Sequence, residues 1–472
     1  MANKLFRDLS ANTVQTGITQ LSGLLIFYLL SRFIPKDQFG DFQWTTAVGS
    51  TLITIGSLGL DMVLVKRIAA GNKPVRIAGI HFFHTLIVST VVLAGLLLTL
   101  FLFPHLQLLH PLFLLIVLQQ ALGNIANSFK FSLTGFQSFR QLAIISILFN
   151  LGKAGIIAGL FFSHTLSVRN VALGFLVASL IELAGGYAYL HRKLRGKLRP
   201  VYAPRTYRSF VSESLPQLGV VLFDSALARI DWILLGIFST TSVTAEYTFA
   251  YKFFELSKLP LLILAPVLLT RLSALTSQSG ILPEGQKTQI NQFVRLEIAL
   301  SFCIPIVLAC IWTPFIDKLT DGKFGAVNQL NFELLALCVP LHFAVNFLWT
   351  LAFVQGKLRT IMYITIISSL LNLGLNAILI PQLGGTGAAI AFLASSIFQV
   401  AAYYFTTDQS QLKLHPGSML WQFVLSIVSV KAGMYLTGSA YVAALVAFVV
   451  YVTGSVVSGQ LPLQQLKALK RN

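Results

Sequence analysis

Apolar stretches of about twenty residues recur along the whole chain, separated by short polar segments. A helix needs roughly 20 apolar residues to cross the core of a bilayer, so the pattern predicts fourteen membrane spans with no folded domain between them. The predicted spans cover residues 12–34, 42–65, 78–103, 111–134, 141–162, 169–190, 210–238, 246–270, 292–316, 329–354, 360–380, 384–406, 419–437 and 439–459.

The composition supports this interpretation. Of the 472 residues, 55% are hydrophobic and only 11% are charged, whereas a soluble protein carries about 25% charged residues. The mean hydropathy is +0.77. Segments of roughly ten residues with alternating polarity, typical of a membrane β-barrel, are absent from the sequence. We therefore predict an all-α polytopic membrane protein.

The net charge of +18 follows from the placement of basic residues in short connecting segments, which is the positive-inside pattern. With a cytoplasmic N-terminus, 22 Lys and Arg residues fall on the cytoplasmic side and four on the outer side. We therefore predict a multi-pass protein of the cytoplasmic (inner) membrane with both termini in the cytoplasm, and no nucleic-acid partner.

Matching segments in the two halves indicate an internal repeat: 29–47 aligns with 234–252, and 149–152 with 371–374. Six spans separate the matching points, so the repeats are parallel, an architecture in which transporters place their site between the halves. The predicted parts are an N-terminal lobe of spans 1–6 (1–190), a basic cytoplasmic inter-lobe loop (191–209), a C-terminal lobe of spans 7–12 (210–406), and accessory spans 13–14 with a cytoplasmic tail (407–472).

The segment NLGLNAILIPQLGGTGAAIAFLASS (372–396) carries a specific motif. Asn and Leu-Asn lie on one helix, Ile-Pro marks its end, and a Gly-x-x-Gly-Ala-Ala-x-Ala run opens the next helix. The motif positions are Asn372, Asn376, Pro381, Gly384, Gly387, Ala388 and Ala389. Over its whole length the chain resembles the oligosaccharide flippases (Wzx-type O-unit translocases) of the multidrug/oligosaccharidyl-lipid/polysaccharide exporter superfamily.

The resemblance implies a MATE-like fold and transport of a lipid-linked oligosaccharide, typically on undecaprenyl pyrophosphate, from the cytoplasmic to the outer leaflet. The product would be a surface polysaccharide such as O-antigen, with membrane lipid, a polysaccharide polymerase and other assembly proteins as further partners. One departure is Lys153 in FNLGKAGII, where an apolar or amide residue is expected.

Basic residues within the predicted spans are candidates for contacts to a pyrophosphate. Lys153 and Arg229 have no partner nearby in the sequence and are the first candidates, followed by Lys252 and Lys258. Arg offers a bidentate fork and Lys a mobile point charge. Lys130 is instead expected to reach toward the cytoplasmic face.

Acidic residues within the spans are candidates for coupling, because the sequence contains no Walker motif that would bind ATP. Glu213, Asp224 and Asp231 are spaced 11 and 7 residues apart, which puts them within about 20° on one helical face. Together with Asp61 and Glu255 they are predicted either to bind H⁺ or Na⁺ or to form ion pairs between helices. No other cofactor is predicted.

Polar residues also recur along single helical faces, as expected of helices that line a hydrated cavity or bond to one another. The predicted lining residues are Asn12, Thr19, Gln120, Asn124, Asn127, Gln217, His342 and Asn346. His81 and His84 begin span three and are expected to lie at the membrane interface without a metal. The three cysteines are expected to be small packing residues.

Two other functions compete with a flippase. A cation-coupled multidrug exporter of the same superfamily needs an acidic, aromatic pocket, and the seven basic residues within the spans argue against one. A membrane glycosyltransferase, ligase or polymerase needs a large outer loop with catalytic residues, and the outer loops here have about five to eleven residues. The sequence therefore favours a transporter with no catalytic residues.

Overall fold

The architecture was analysed in a computed structural model. It describes the chain except for residues 1, 72, 103–110, 262–263, 266–267, 270–271, 273–283, 411 and 462–472. Within the helices, the side chains of 2–14, 16, 100, 216–217, 220–221, 224, 226–228, 284 and 286 also lie outside the description. The described residues form helices and connecting turns without a strand, so the predicted all-α class is confirmed.

The first of two units comprises Met1–Gly236. Its helices are α1 (Ala2–Phe33), α2 (Lys36–Ser57), α3 (Leu60–Ala69), α4 (Pro74–Leu102), α5 (Pro111–Gly135), α6 (Phe139–Phe162), α7 (Val168–Lys193) and α8 (Pro204–Phe238, as far as Gly236). A buried core joins α3, α4, α5 and α8 through residues such as Leu64, Ile80, Phe129 and Phe210. The unit thus includes α8, which the sequence assigned to the C-terminal lobe.

Span two was predicted to be continuous, but the structure breaks it. Leu58 and Gly59 both have left-handed backbone conformations, with φ of 52° and 67°, and α2 and α3 are bent by 49° at this point. The left-handed region is unfavourable for Leu but readily adopted by Gly, so Gly59 is the local sequence feature that favours a break here. The break places Asp61 in the first turn of α3.

The basic segment between α7 and α8 packs on the first unit. Leu198 and Ala203 are buried, and the Val201 amide donates a hydrogen bond of 2.9 Å to the carbonyl oxygen of Gly79 in α4. The charged side chains of this segment, including Arg195 and Lys197, remain exposed. Its position on this unit is therefore fixed by backbone bonding and apolar burial.

The second unit comprises Ile237–Asn472. Its helices are α9 (Thr241–Ser257), α10 (Glu284–Ser301), α11 (Cys303–Thr320), α12 (Gln329–Val354), α13 (Leu358–Leu383), α14 (Gly385–Thr406), α15 (Pro416–Leu436) and α16 (Ala440–Val457). The accessory pair α15 and α16 packs chiefly on α11. It also contacts the end of α10, where the Tyr451 hydroxyl donates 2.9 Å to the Ala299 carbonyl oxygen, and Phe302, between α10 and α11, packs edge-on against Phe423.

Ten helices of the described residues are long and apolar enough to cross a membrane, and the bent pair of α2 and α3 raises the number to eleven. The other three predicted spans fall on α1, α8 and α9. The apolar part of α1 is Gly17–Phe33, α9 has 17 residues, and α8 carries Asp224, Arg229 and Asp231. The predicted multi-pass character is confirmed at this level.

The motif segment forms a helical hairpin between α13 and α14. Pro381 was predicted to end a helix, but α13 continues through it to Leu383. Pro381 lacks only its own N–H, and the Gly384 amide still donates 2.8 Å to the Ile380 carbonyl oxygen. Asn372 and Asn376 are buried, and the Asn376 side-chain amide donates 2.9 Å to Asn372 Oδ1.

Replacing Gly387 by alanine is expected to destabilise this hairpin. An added Cβ would lie 2.4 Å from the carbonyl oxygen of Leu379, so the backbone must move, at a cost of about 1–3 kcal/mol. Gly374→Ala is the matched control, because an added Cβ there meets no atom within 4 Å. Thermal unfolding in detergent should show a lower midpoint for the first variant only; equal midpoints would contradict the close packing.

Candidate functional site: buried charges in the two units

The first unit buries an ion pair between α5 and α7. Lys130 Nζ lies 2.8 Å from Glu182 Oε1, with 24% of the lysine side chain and 2% of the glutamate side chain exposed. Lys130 was expected to reach toward the cytoplasmic face, but it donates to Glu182 instead. The reason is that a carboxylate inside an apolar span needs a partner.

Lys153 extends this cluster on α6. Its ammonium lies 4.2 Å from the ring centroid of Phe149 and 4.8 Å from that of Phe175. The Lys130 ammonium lies 5.9 Å from the same Phe149 ring. At 1.5 Å per residue, Lys153 is about 21 Å from the first residue of α6 and about 14 Å from the last, so it lies well within a hydrocarbon core of about 30 Å.

Arg229 and Asp231 occupy the last part of α8. The Arg229 guanidinium lies 4.1 Å from the ring centroid of Trp232, and the buried Asp231 accepts a hydrogen bond of 2.9 Å from the Trp232 amide. This part of α8 is fixed to α2, since Trp44 Nε1 donates 3.1 Å to the Ile233 carbonyl oxygen. The side chains of Asp224 and Gln217 lie outside the described residues.

The second unit places its candidate cations on and just after α9. Lys252 Nζ pairs with Glu255 Oε2 at 2.9 Å, as the i, i+3 spacing predicts. The Lys258 ammonium lies 4.1 Å from the Phe254 ring centroid, and the His342 ring meets the same phenylalanine edge-on at 5.3 Å. Lys258 and His342 therefore share Phe254 as an aromatic neighbour.

Glu213 forms an ion triad with α3. It lies 2.9 Å from Lys66 Nζ and 2.7 Å from an Arg67 guanidinium nitrogen. Arg67 also donates to the backbone and side chain of Ser209. Two roles were predicted for Glu213, binding of H⁺ or Na⁺ and ion pairing between helices, and the structure shows the ion pairs.

Several predicted lining residues make hydrogen bonds between helices of the first unit. Asn150 of α6 donates 3.2 Å to the Thr19 hydroxyl, and Gln120 of α5 donates 2.9 Å to the Thr46 carbonyl oxygen. Asn124 donates 3.3 Å to the Ser89 hydroxyl. Asn127 is half-buried on α5, and the Asn12 side chain lies outside the described residues. In the second unit, His342 and Asn346 are half-buried on α12.

His81 and His84 were expected at the membrane interface, and the structure buries both of them inside the first unit. His81 Nε2 lies 3.1 Å from Asp61 Oδ1, and its Nδ1 lies 2.8 Å from the Ser128 hydroxyl. His84 Nδ1 lies 2.9 Å from the Tyr207 hydroxyl, and its Nε2 lies 3.0 Å from the Gly56 carbonyl oxygen. Every ring nitrogen of the pair has a polar neighbour.

The sequence reasoning missed Glu182 and the two histidines. A signal existed for Glu182, which is the one carboxylate in predicted span six, and a lone charge in a membrane helix usually has a functional or pairing role. The histidines share one helical face at i, i+3, which marked them as neighbours but gave no sign of Asp61 on another helix.

The fold and these residues define a class: multi-pass helical membrane proteins that hold ionisable side chains inside their spans. The family can also be stated. The chain belongs to the polysaccharide biosynthesis protein family, which matches residues 5–270. The family predicted from the sequence is therefore confirmed. A comparison with curated protein sequences gives no match.

Solved structures agree on the fold. A lipid II flippase, MurJ, in an inward closed conformation matches with a TM-score of 0.75 and 15% identity, over 95% of this chain and 99% of that one. An inward-facing multidrug resistance MATE transporter of the MOP superfamily matches with a TM-score of 0.65 and 14% identity, over 82% of this chain and 93% of that one. A MOP superfamily transporter from Pyrococcus furiosus matches with a TM-score of 0.54 and 13% identity, over 88% of this chain and 93% of that one. The predicted MATE-like architecture is confirmed.

Proposed function

We propose that the protein is a flippase that moves a lipid-linked oligosaccharide, of the undecaprenyl pyrophosphate type, from the cytoplasmic to the outer leaflet of the inner membrane. The observation that carries the proposal is Lys153, an ammonium held against Phe149 and Phe175 in the middle of a membrane helix. A charge at this depth costs roughly 2.5–3.5 kcal/mol on the insertion scale, and an anionic substrate would offset that cost.

The other cations fit the same ligand. Arg229 stacks on Trp232 in the first unit, and Lys258 stacks on Phe254 in the second. Arginine and lysine form the charge-assisted hydrogen bonds by which proteins bind phosphate oxygens. In the proposal Lys153, Arg229, Lys252 and Lys258 contact the pyrophosphate, and each becomes accessible from the two membrane faces in turn.

The remaining parts of the proposal concern coupling and assembly. Asp61, Asp224, Asp231 and Glu255 are candidates for binding H⁺ or Na⁺. The predicted 22-to-4 distribution of basic residues supports a cytoplasmic location of both termini. MurJ, whose fold is similar, is a lipid II flippase, and this similarity supports a lipid-linked cargo here. The product would enter surface polysaccharide synthesis, with a polymerase acting after it.

Deleting the gene should abolish the surface polymer and cause the lipid-linked oligosaccharide to accumulate in the cytoplasmic leaflet. The measurement is mass spectrometry of extracted lipids together with a polymer blot, and re-expression of the wild-type chain should reverse both changes. Unchanged polymer without accumulated lipid intermediate would contradict a flippase. Unchanged polymer with raised sensitivity to cationic drugs would support the multidrug exporter instead.

A further inference from the structure

A buried polar group lies apart from the proposed phosphate contacts, where α3, α4 and α5 meet. His81 is the central member, with 1% of its side chain exposed, and Asp61 keeps 30% exposed. Ser128 completes the row on the far side of the imidazole and is fully buried. The three side chains therefore form a row in which the Asp61 carboxylate is accessible and the His81 imidazole is buried.

The two neighbouring histidines differ in the protonation states that their hydrogen bonds allow. His84 Nε2 faces the Gly56 carbonyl oxygen, which only accepts, so this nitrogen carries a hydrogen and a neutral ring completes both bonds of His84. His81 Nε2 faces a carboxylate, and its Nδ1 faces a hydroxyl that can donate or accept. His81 can therefore form both hydrogen bonds either as a neutral ring or as an imidazolium. When it is an imidazolium, Asp61 is its counter-ion.

Other charges around the pair are compensated. The Arg67 guanidinium lies behind the Phe210 ring, 5.2 Å from its centroid, and that centroid is 6.3 Å from the His81 ring. The titratable and charged groups linked to this region from α3, α4 and α8 are Asp61, Lys66, Arg67, His84, Tyr207 and Glu213. On α5, Lys130 is two residues from Ser128. Lys66 and Arg67 pair with Glu213, and Lys130 pairs with Glu182.

The pair lies at the break between α2 and α3. Asp61 is the second residue of α3, directly after the left-handed Leu58 and Gly59. The first N–H groups of a helix have no intrahelical partner and favour a nearby negative charge. Transporters commonly place their coupling ions at such interrupted helices. The charge on Asp61 is thus linked to a point where the backbone already departs from a helix.

We propose that Asp61 and His81 form a proton-exchange site of the first unit. Before the proton binds, the neutral His81 ring donates from Nε2 to Asp61 and accepts from Ser128 at Nδ1. A proton taken up from water completes the imidazolium at Nδ1, and the Ser128 hydroxyl turns from donor to acceptor. The pair thereby changes from one net negative charge to zero. Alkali cations prefer several oxygen ligands, and here one side of the carboxylate meets a nitrogen, which favours H⁺ over Na⁺. That this proton drives transport rests on the proposed flippase function.

The site can be tested without substrate, using the full-length protein with ¹⁵N-labelled histidine in lipid vesicles. The His81 signal is identified by its loss in His81→Gln, and its titration is followed by NMR between about pH 5 and 8, where histidine usually changes charge. In Asp61→Asn the titration midpoint should fall by one pH unit or more, a tenfold loss of proton affinity, since the counter-ion is gone.

Asp37→Asn is the matched control, because it removes an exposed carboxylate of the same unit, and it should leave the midpoint unchanged. A His81 signal that does not titrate in the wild-type protein, or that titrates identically in Asp61→Asn, would overturn the site. Elution as a single species in detergent identifies folded variants, and His81→Asn can replace His81→Gln if the latter fails this test.

Coupling is measured separately as surface polymer in the deletion strain. A tenfold or larger loss with His81→Gln supports coupling, and a wild-type level of polymer overturns it while leaving the flippase proposal intact. If deletion of the gene itself leaves polymer unchanged, the flippase proposal and the coupling both fail, and the NMR result still decides whether the proton site exists.

Discussion

Glu182→Gln is expected to destabilise the protein by about 3 kcal/mol. Breaking a buried ion pair typically costs about 3–5 kcal/mol, because one charge is left without compensation, and the lower end applies since Lys130 keeps 24% of its side chain exposed. The midpoint of thermal unfolding in detergent should fall by several degrees. The exposed pair of the same unit provides the control: Lys66 has 75% of its side chain exposed, so Lys66→Gln should cost at most about 1 kcal/mol.

The expected cause can be separated from a loss of packing. Replacing both partners, as Lys130→Met with Glu182→Leu, removes both charges and keeps the volume, and such replacements of buried pairs are often neutral or stabilising. The double variant should therefore unfold close to the wild-type temperature. If it is as unstable as Glu182→Gln, the glutamate acts through its shape or through another hydrogen bond, and the ion-pair explanation is wrong.

Hydropathy and charge distribution were sufficient for much of the fold, since both are local properties of the chain. The apolar segments became helices, and the motif at 372–396 became a hairpin. The break after Ser57 was not predicted, because its one local signal, the left-handed Gly59, is a single glycine of a kind that apolar helices also tolerate. Likewise Pro381 looked like a helix end, although a proline in the last turn removes only one backbone donor.

The candidate site was harder to predict because its contacts join distant parts of the sequence. Lys130 and Glu182 are 52 residues apart; Lys130 was interpreted alone, as a residue that reaches the membrane surface, and Glu182 was not singled out. Asp61 was singled out as an ionisable residue within a span, but its neighbour His81 was assigned to the interface. Arg229 looked isolated because a stacking partner three residues away carries no charge. Counting charged residues within the spans identifies these residues but does not show which side chains contact them in the fold.

Lys153→Met is expected to reduce surface polymer by tenfold or more while leaving the protein at least as stable as the wild type. A charge-assisted hydrogen bond contributes about 1.5–3 kcal/mol, which corresponds to roughly a 10- to 100-fold change in binding. Methionine keeps the length and apolar character of the side chain. Polymer is measured in the deletion strain carrying each variant, at matched amounts of membrane protein.

The stability readout separates a substrate contact from a structural role. Within the described residues, no carboxylate lies within ion-pairing distance of Lys153, whose ammonium has aromatic neighbours at 4.2 and 4.8 Å. Glu182 acts on it only from farther away and is itself paired with Lys130. Such aromatic contacts contribute about 0.5–2 kcal/mol, which is no more than the roughly 2.5–3.5 kcal/mol cost of a charge at this depth. Removing the ammonium should therefore leave the unfolding midpoint unchanged or raise it, whereas a structural lysine would lower it on removal.

Two further variants make the result specific to this position. Lys153→Arg keeps the charge and should retain part of the polymer, with the shortfall reflecting the different shape of a guanidinium. Lys431→Met removes another lysine from an apolar helix, the exposed one on α15, and should leave polymer unchanged because that helix belongs to the accessory pair. Normal polymer with Lys153→Met would refute the substrate contact, and equal losses with Lys431→Met would point to a general effect of charge on membrane insertion.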